Sequence, residues 1–208
     1  MILHRMPMKR LAIDIVILPP DPIIKLALDT NRMLLSHIPE GIILGKDGNM
    51  PHISLLMGCI ADSLLSEVTL RLRAISKKTQ ALHLSITGIH SHNSGSHNVI
   101  SFDIERSNEL LALHQLLVNE FKPLLTHDAE EGDFNDAPPI AASSISWVNR
   151  FIPDACFDNF WPHITLGFGN YTGTVDPVPF TASRLAICHL GNHCTCSRII
   201  EEVSLASQ

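Results

Sequence analysis

Two stretches decide the reading of this chain: Pro51-His52-Ile53-Ser54-Leu55-Leu56-Met57-Gly58 and Pro162-His163-Ile164-Thr165-Leu166-Gly167-Phe168-Gly169. Five of the eight positions are identical, and Ser54/Thr165 exchanges one hydroxyl for another. Each stretch is short and mostly apolar and reads as a strand. Residues i and i+2 of a strand point to one face. His52 therefore shares a face with Ser54, and His163 with Thr165, while Ile53, Leu55, Ile164 and Leu166 turn the other way, under a helix. A lone His-x-Ser or His-x-Thr in a strand is ordinary packing. Two copies at equivalent points of a repeat favour two imidazole–hydroxyl pairs converging on one cleft.

The flanks supply the repeat. Residues 10–18 are β-branched and apolar and end at Pro19-Pro20, which predicts a buried strand. Asp21 is placed to cap a helix that Pro22 opens, with Ile24, Ala27, Leu28, Leu34, Leu35 and Ile38 at helical spacing and a stop before Pro39. After the first Pro-His strand, Asp62 is placed to cap a second helix with the stripe Leu64, Leu65, Val68, Leu72, Ile75. Residues 82–88 and 99–104 alternate apolar and polar around a polar loop, SHNSGSHN, and predict a hairpin. Ser107 caps a third helix with the stripe Leu110, Leu113, Leu117, Phe121, stopped by Pro123. The acidic, proline-ended segment 126–139 reads as a mobile loop, and 144–149 as a short strand. Pro177 and Pro179 leave no room for a long helix in 170–182. Residues 184–205 predict a second hairpin turning at Gly191-Asn192. The order strand, helix, Pro-His strand, connector, hairpin thus occurs twice, roughly over 10–104 and 99–205. The chain reads as one domain spanning 1–208, built of two interleaved repeats.

Composition removes several classes of function. At 208 residues and 45% hydrophobic, the chain can bury a sizeable core, and with 17% charged residues it is not disordered. Fifteen Lys+Arg against 21 Asp+Glu, a formal charge of −6, argues against a broad nucleic-acid surface. No apolar run is long enough for a transmembrane helix. The apolar start resembles a signal peptide, but Asp14 interrupts it and no small-residue cleavage site follows. The five cysteines are odd in number and irregular in spacing, which predicts no disulfide framework and a reducing, cytoplasmic setting.

Paired imidazoles suit phosphodiester chemistry. With an ordinary pKa near 6.5, one histidine can take a proton from water and the other give one to a leaving oxygen. The hydroxyls of Ser54 and Thr165 would hold the phosphoryl oxygens. These doubled motifs resemble the 2H phosphoesterase superfamily, which includes the 2′-5′ RNA ligase-like proteins and RNA 2′,3′-cyclic phosphodiesterases. The resemblance spans nearly the whole chain. It implies an α+β, bilobal fold of two antiparallel sheets with helices outside, around a pseudo-two-fold central cleft. It also implies metal-independent hydrolysis of a cyclic phosphodiester, with His52 and His163 as the acid–base pair and Ser54 and Thr165 as phosphate-binding residues. No cofactor is called for. The expected substrate is a small nucleotide or an RNA end carrying a cyclic phosphate, acted on by a monomer that engages no membrane. The alternatives are a nucleotide- or RNA-end-binding protein with little turnover, and RNA 2′-5′ ligase-like activity. The proline-broken segment after the second motif, where the first has a helix, and the lack of a basic track leave the substrate open.

Of the remaining residues, Tyr171 is the expected stacking residue at the rim, with Trp161 and Phe168 assigned to the core. Arg150 and Lys46 read as solvated charges, and the GKDG run at 45–48 lacks the rest of a P-loop. His90, His92 and His97 read as solvated. His189, His193, Cys194 and Cys196 raise a zinc alternative, though their spacing matches no structural zinc pattern. Cys156 and Cys188 read as small apolar residues.

Overall fold

A computed structural model describes residues 9–93, 98–171 and 173–206 of the chain. Eight strands form two antiparallel four-stranded sheets and four α-helices cover them, an α+β architecture. The first sheet has the order β2 (Ile53–Ala61), β1 (Arg10–Leu18), β7 (Arg184–Leu190), β8 (Cys196–Ser204). The second has β5 (His163–Phe168), β4 (Asn98–Ile104), β3 (Leu82–Asn93), β6 (Val178–Ala182). The two orders superpose as β2/β5, β1/β4, β7/β3 and β8/β6. Each sheet therefore draws its strands from both parts of the chain.

The helices cross over as well. α1 (Asp21–Leu35) follows β1 but packs on β5, while α3 (Asn108–Phe121) and α4 (Ala142–Ala155) follow β4 but pack on β2; α2 (Leu65–Ser76) lies against β8. One continuous core joins the outer faces of both sheets to these helices, with Ile13, Ile15, Leu55, Phe102, Phe121 and Ile164 at its centre. Burial of each such side chain contributes about 1.5–3 kcal/mol. A smaller apolar set, Val16, Leu18, Ala186, Cys188 and Cys196, occupies the opposite face of the first sheet. No described helix is long and apolar enough to cross a membrane.

Several sequence expectations change here. Asp21 is not the cap of α1: Pro20 holds that position, and Asp21 and Pro22 open the first turn. Asp62 starts a short 3-10 turn, and α2 begins only at Leu65. Ser107 does cap α3, accepting from the Leu110 N–H. The strand expected at 144–149 is the middle of α4, whose buried Ser144, Val148 and Phe151 follow helical spacing. Local β propensity yields here to this packed face. Pro179 is accommodated in β6 because that strand is a sheet edge.

The acidic segment 126–139 is docked rather than mobile. Asp133 is buried and receives Nε and a second guanidinium nitrogen of Arg10 at 3.2 and 2.8 Å, and Ala129 and Phe134 are also buried. Cys188 and Cys196 form a disulfide across β7 and β8, Cα atoms 5.3 Å apart, so both are more than the apolar fillers expected. Register shifts at Ile187/Cys188 and His189/Leu190 bring the two together. The tip of the first hairpin, with His97, lies outside the described residues, as does His4.

Candidate active site

The two Pro-His strands share a backbone irregularity that spacing alone does not reveal. In β2, Ser54 pairs with Val16 and Leu56 with Ile15, so Leu55 is skipped. In β5, Thr165 pairs with Ser101 and Gly167 with Ile100, so Leu166 is skipped. The bulge sits one residue after the hydroxyl in both. A bulge frees backbone groups from the ladder, and buried groups need other partners. The Leu166 carbonyl accepts from Asn31 Nδ2 on α1 at 2.7 Å; the Leu55 carbonyl lies 2.9 Å from His114 Nδ1 on α3. The second ring nitrogen of His114 accepts from the Phe157 N–H, so Nδ1 carries the proton and donates. Each helix thus pins the bulge of the opposite sheet. Gly167, at φ 141°, sits in the left-handed region, and a Cβ there would meet Asn31 Nδ2 at 3.1 Å.

Both motif histidines are held the same way. His52 Nδ1 lies 2.7 Å from the Met50 carbonyl, and His163 Nδ1 lies 2.9 Å from the Trp161 carbonyl, in each case two residues upstream. A carbonyl can only accept, so both rings donate from Nδ1 and present Nε2 with its lone pair free. His52, Ser54, His163 and Thr165 all line one cavity of about 690 Å³. Burial pushes the His52 pKa down to about 4, partly opposed by the Met50 carbonyl and reinforced by His163. Burial also lowers that of His163, with the Trp161 carbonyl opposing and His92 adding to the fall. Burial thus holds each ring, taken singly, toward its neutral form.

The surroundings of the two differ. Asp14, in the middle of β1, is fully buried with Oδ2 3.7 Å from His52 Nε2. Neither carboxyl oxygen has a partner in hydrogen-bond geometry. Burial drives its pKa well above the usual carboxylate range; the Ser54 hydroxyl and the backbone of Leu56 and Leu55 oppose this less strongly. In the other repeat the same register position, beside the bulge, is Val99: Asp14 pairs with Met57 as Val99 pairs with Phe168. There His163 instead stacks on Trp161, ring centroids 4.3 Å apart, and Trp161 Nε1 donates to Asp103 at 3.0 Å.

The rest of the lining is mostly apolar and aromatic, including Trp147, Phe151, Phe160 and Phe168. Among the described lining residues there is no Lys or Arg; the acids are Glu40 and Asp154, and Arg150 is paired with Asp154. Trp161 and Phe168 therefore line the cavity, against the expectation of core roles. Tyr171 does not line it: the ring packs against the main core. His92, expected to be solvated, faces the cavity. Of the zinc alternative, Cys196 is spent in the disulfide, His189 Nε2 meets the Asp133 carbonyl at 2.8 Å, and Cys194 Sγ donates to the Ser144 carbonyl.

Asp14, His92, Asn31, His114 and Trp147 were missed by sequence reasoning. Asp14 alone carried a signal, a carboxylate inside the apolar run Ile13-Asp14-Ile15.

A model of the 2′-5′ RNA ligase superfamily matches residues 45–187. No curated protein matches the chain. Among solved structures, TT0787 of Thermus thermophilus is 13% identical with a TM-score of 0.59. Escherichia coli LigT in complex with ATP is 14% identical with a TM-score of 0.55, and its complex with 3′-AMP 11% with 0.51. Each alignment covers 95% of this chain and 99% of the other, which shows a shared fold.

Proposed function

The chain belongs to the 2′-5′ RNA ligase superfamily, and from that premise we propose that it hydrolyses a cyclic phosphodiester by acid–base catalysis between His52 and His163. One observation carries the reading: two imidazoles, locked in the same tautomer by the same local contact, turn Nε2 into a single cavity, each two residues from a hydroxyl. In the reaction, the oxygen of water bonds to phosphorus as the bond to one ring oxygen breaks. One Nε2 takes the proton of the water and the other protonates the leaving oxygen. Ser54 and Thr165 donate to the non-bridging oxygens, where charge develops.

The lining favours a small substrate. Without Lys or Arg among its described residues, the cavity offers nothing to a polyphosphate or to a run of RNA backbone. A cyclic nucleoside monophosphate carries one charge and a flat aromatic base whose π face aromatic walls accept. A nucleoside 2′,3′-cyclic monophosphate is the first substrate to try, with 31P NMR to identify the ring-opened monoester. Turnover that survives both His52→Ala and His163→Ala would refute the reading.

A second reading, nucleotide binding with little turnover, draws on the LigT complexes with 3′-AMP and ATP. Tight binding of a nucleoside 2′- or 3′-monophosphate with no turnover of any cyclic nucleotide would favour it.

A further inference from the structure

Asp14 is an unusual residue for its place in the sheet. It interrupts a buried apolar strand, its oxygens have only the Ser54 hydroxyl and the Leu55 and Leu56 backbone nearby and none of these in full hydrogen-bond geometry, and its counterpart in the other repeat is Val99. A buried polar group left so is costly to the fold. It does lie against one functional atom: Oδ2 is 3.7 Å from His52 Nε2, within ion-pair range and longer than a hydrogen bond. That nitrogen is the one left free for the cavity, because Nδ1 is committed to the Met50 carbonyl.

Two isolated groups in this place would both be neutral. Burial, with His163 adding to it and the Met50 carbonyl opposing it, takes His52 to about 4, so the ring without a carboxylate partner holds no proton at neutral pH to give away. Burial takes the Asp14 carboxyl in the opposite direction, toward keeping its proton. The pair behaves differently from either member. Passing the proton from carboxyl to imidazole makes an ion pair instead of a lone buried charge, so the two titrate as one unit that retains a proton. The other titratable groups that bear on the pair are His163 from β5, Cys156 after α4 and Cys194 in the β7–β8 turn, none of them cationic at rest. Around His163, by contrast, His92 and His90 disfavour a positive charge while Asp103 favours it more weakly than burial opposes it. His163 rests in the neutral form that a base needs.

We infer, building on the phosphodiesterase reading, that Asp14 is a positioning residue that keeps a proton on the Asp14–His52 pair, so that His52 is the general acid and His163 the general base. In the step, His163 Nε2 accepts a proton from water as its oxygen bonds to phosphorus. His52 Nε2 gives a proton to the leaving oxygen as that bond to phosphorus breaks. The proton gained by His163 then returns to the Asp14–His52 pair through solvent, and no net proton is consumed.

The test is a titration of protein carrying 15N-labelled histidine, free of any ligand, in wild type and in Asp14→Asn. The expected result is that the His52 midpoint moves to lower pH in the variant while that of His163 stays in place. An unmoved His52 midpoint overturns the proposal. Should Asp14→Asn fail to fold, the reciprocal measurement decides: the 13C-carboxyl midpoint of Asp14 must rise in His52→Gln, which takes away its cationic partner, and an unchanged midpoint overturns it equally. With a cyclic substrate, Asp14→Asn should move the alkaline limb of kcat to lower pH and cut kcat at pH 7 by about 10²-fold, within the range for losing a general acid, leaving the acidic limb unchanged. Because the titrations need no substrate, they stand or fall separately from the phosphodiesterase reading.

Discussion

Around His52 the protein places Asp14, the Met50 carbonyl and an apolar sheet face backed by the Cys188–Cys196 disulfide. Around His163, at matching register, it places Val99, the Trp161 carbonyl and the Trp161 indole itself. What the two share is backbone: the bulge after the hydroxyl, the helix side chain that satisfies it, and the Nδ1 contact that fixes the tautomer. The lesson is that the repeat copies the geometry of proton transfer and varies the environment that assigns its direction. Symmetric placement supplies two equivalent nitrogens; asymmetric neighbours make them unequal.

The largest test of this comparison removes one ring at a time. His52→Ala and His163→Ala should each lower kcat by about 10²–10⁴-fold with the fold retained, since each ring lies on the cavity wall rather than in the core. Steady-state kinetics with circular dichroism as the folding check measures both. Loss in one variant only would mean that the motif whose variant stays active is a structural relic. The depressed pKa of His163 adds a sign: a base stays competent while neutral, so the acidic limb of the rate profile should fall below the ordinary 6.5.

Next come the hydroxyls. Ser54→Ala and Thr165→Val should each cost about 1.5–3 kcal/mol of transition-state stabilisation, roughly tenfold to a hundredfold in kcat/KM, the usual worth of a hydrogen bond to a charged group. Equal losses would mean that the anion sits on the pseudo-two-fold axis. Unequal losses would place it nearer one motif.

The motifs were legible because the chain spells them twice, and alternation in 82–104 together with Ser107 gave the hairpin and a helix start. What escaped depends on contacts distant in sequence. Arg10 docks Asp133 from 123 positions away, so an acidic stretch looked mobile. The disulfide needs two register shifts in β7–β8 that no spacing rule foretells. The Ala142–Ala155 helix shows its stripe only once β2 is known to lie beneath it. Asp14 was visible as an oddity, but its meaning requires His52 on the neighbouring strand. Trp161 looked like core because a large aromatic beside a strand usually is.

The disulfide tests the first motif's scaffold. Met50, whose carbonyl orients His52, is tied by its own N–H to the Cys196 carbonyl at 3.0 Å. Cys196→Ser opens a link of sequence separation 8 and should lower stability by about 2 kcal/mol on loop-entropy grounds. Chemical denaturation measures this. The effect on turnover should be below tenfold, because the strand pairing that carries Met50 remains.

The smallest effect is expected at the position where the repeats differ most visibly, Met50 against Trp161. The indole stacks on His163 at an interplanar angle of 22°, with its N–H on Asp103, the residue that pairs with His163 across the strands. Trp161→Met would give the second motif the residue of the first. Losing an aromatic stack costs about 0.5–1.5 kcal/mol, so kcat/KM should fall by no more than about tenfold. How it falls is informative. A lower kcat at constant KM means that the indole acts through His163, holding the ring over the cavity. A raised KM at constant kcat means that its exposed face stacks on the substrate's base, the task sequence reasoning assigned to Tyr171. If neither constant moves, the Trp161 ring is only a cover for the rim, and the difference between the two motifs narrows to Asp14 and Val99.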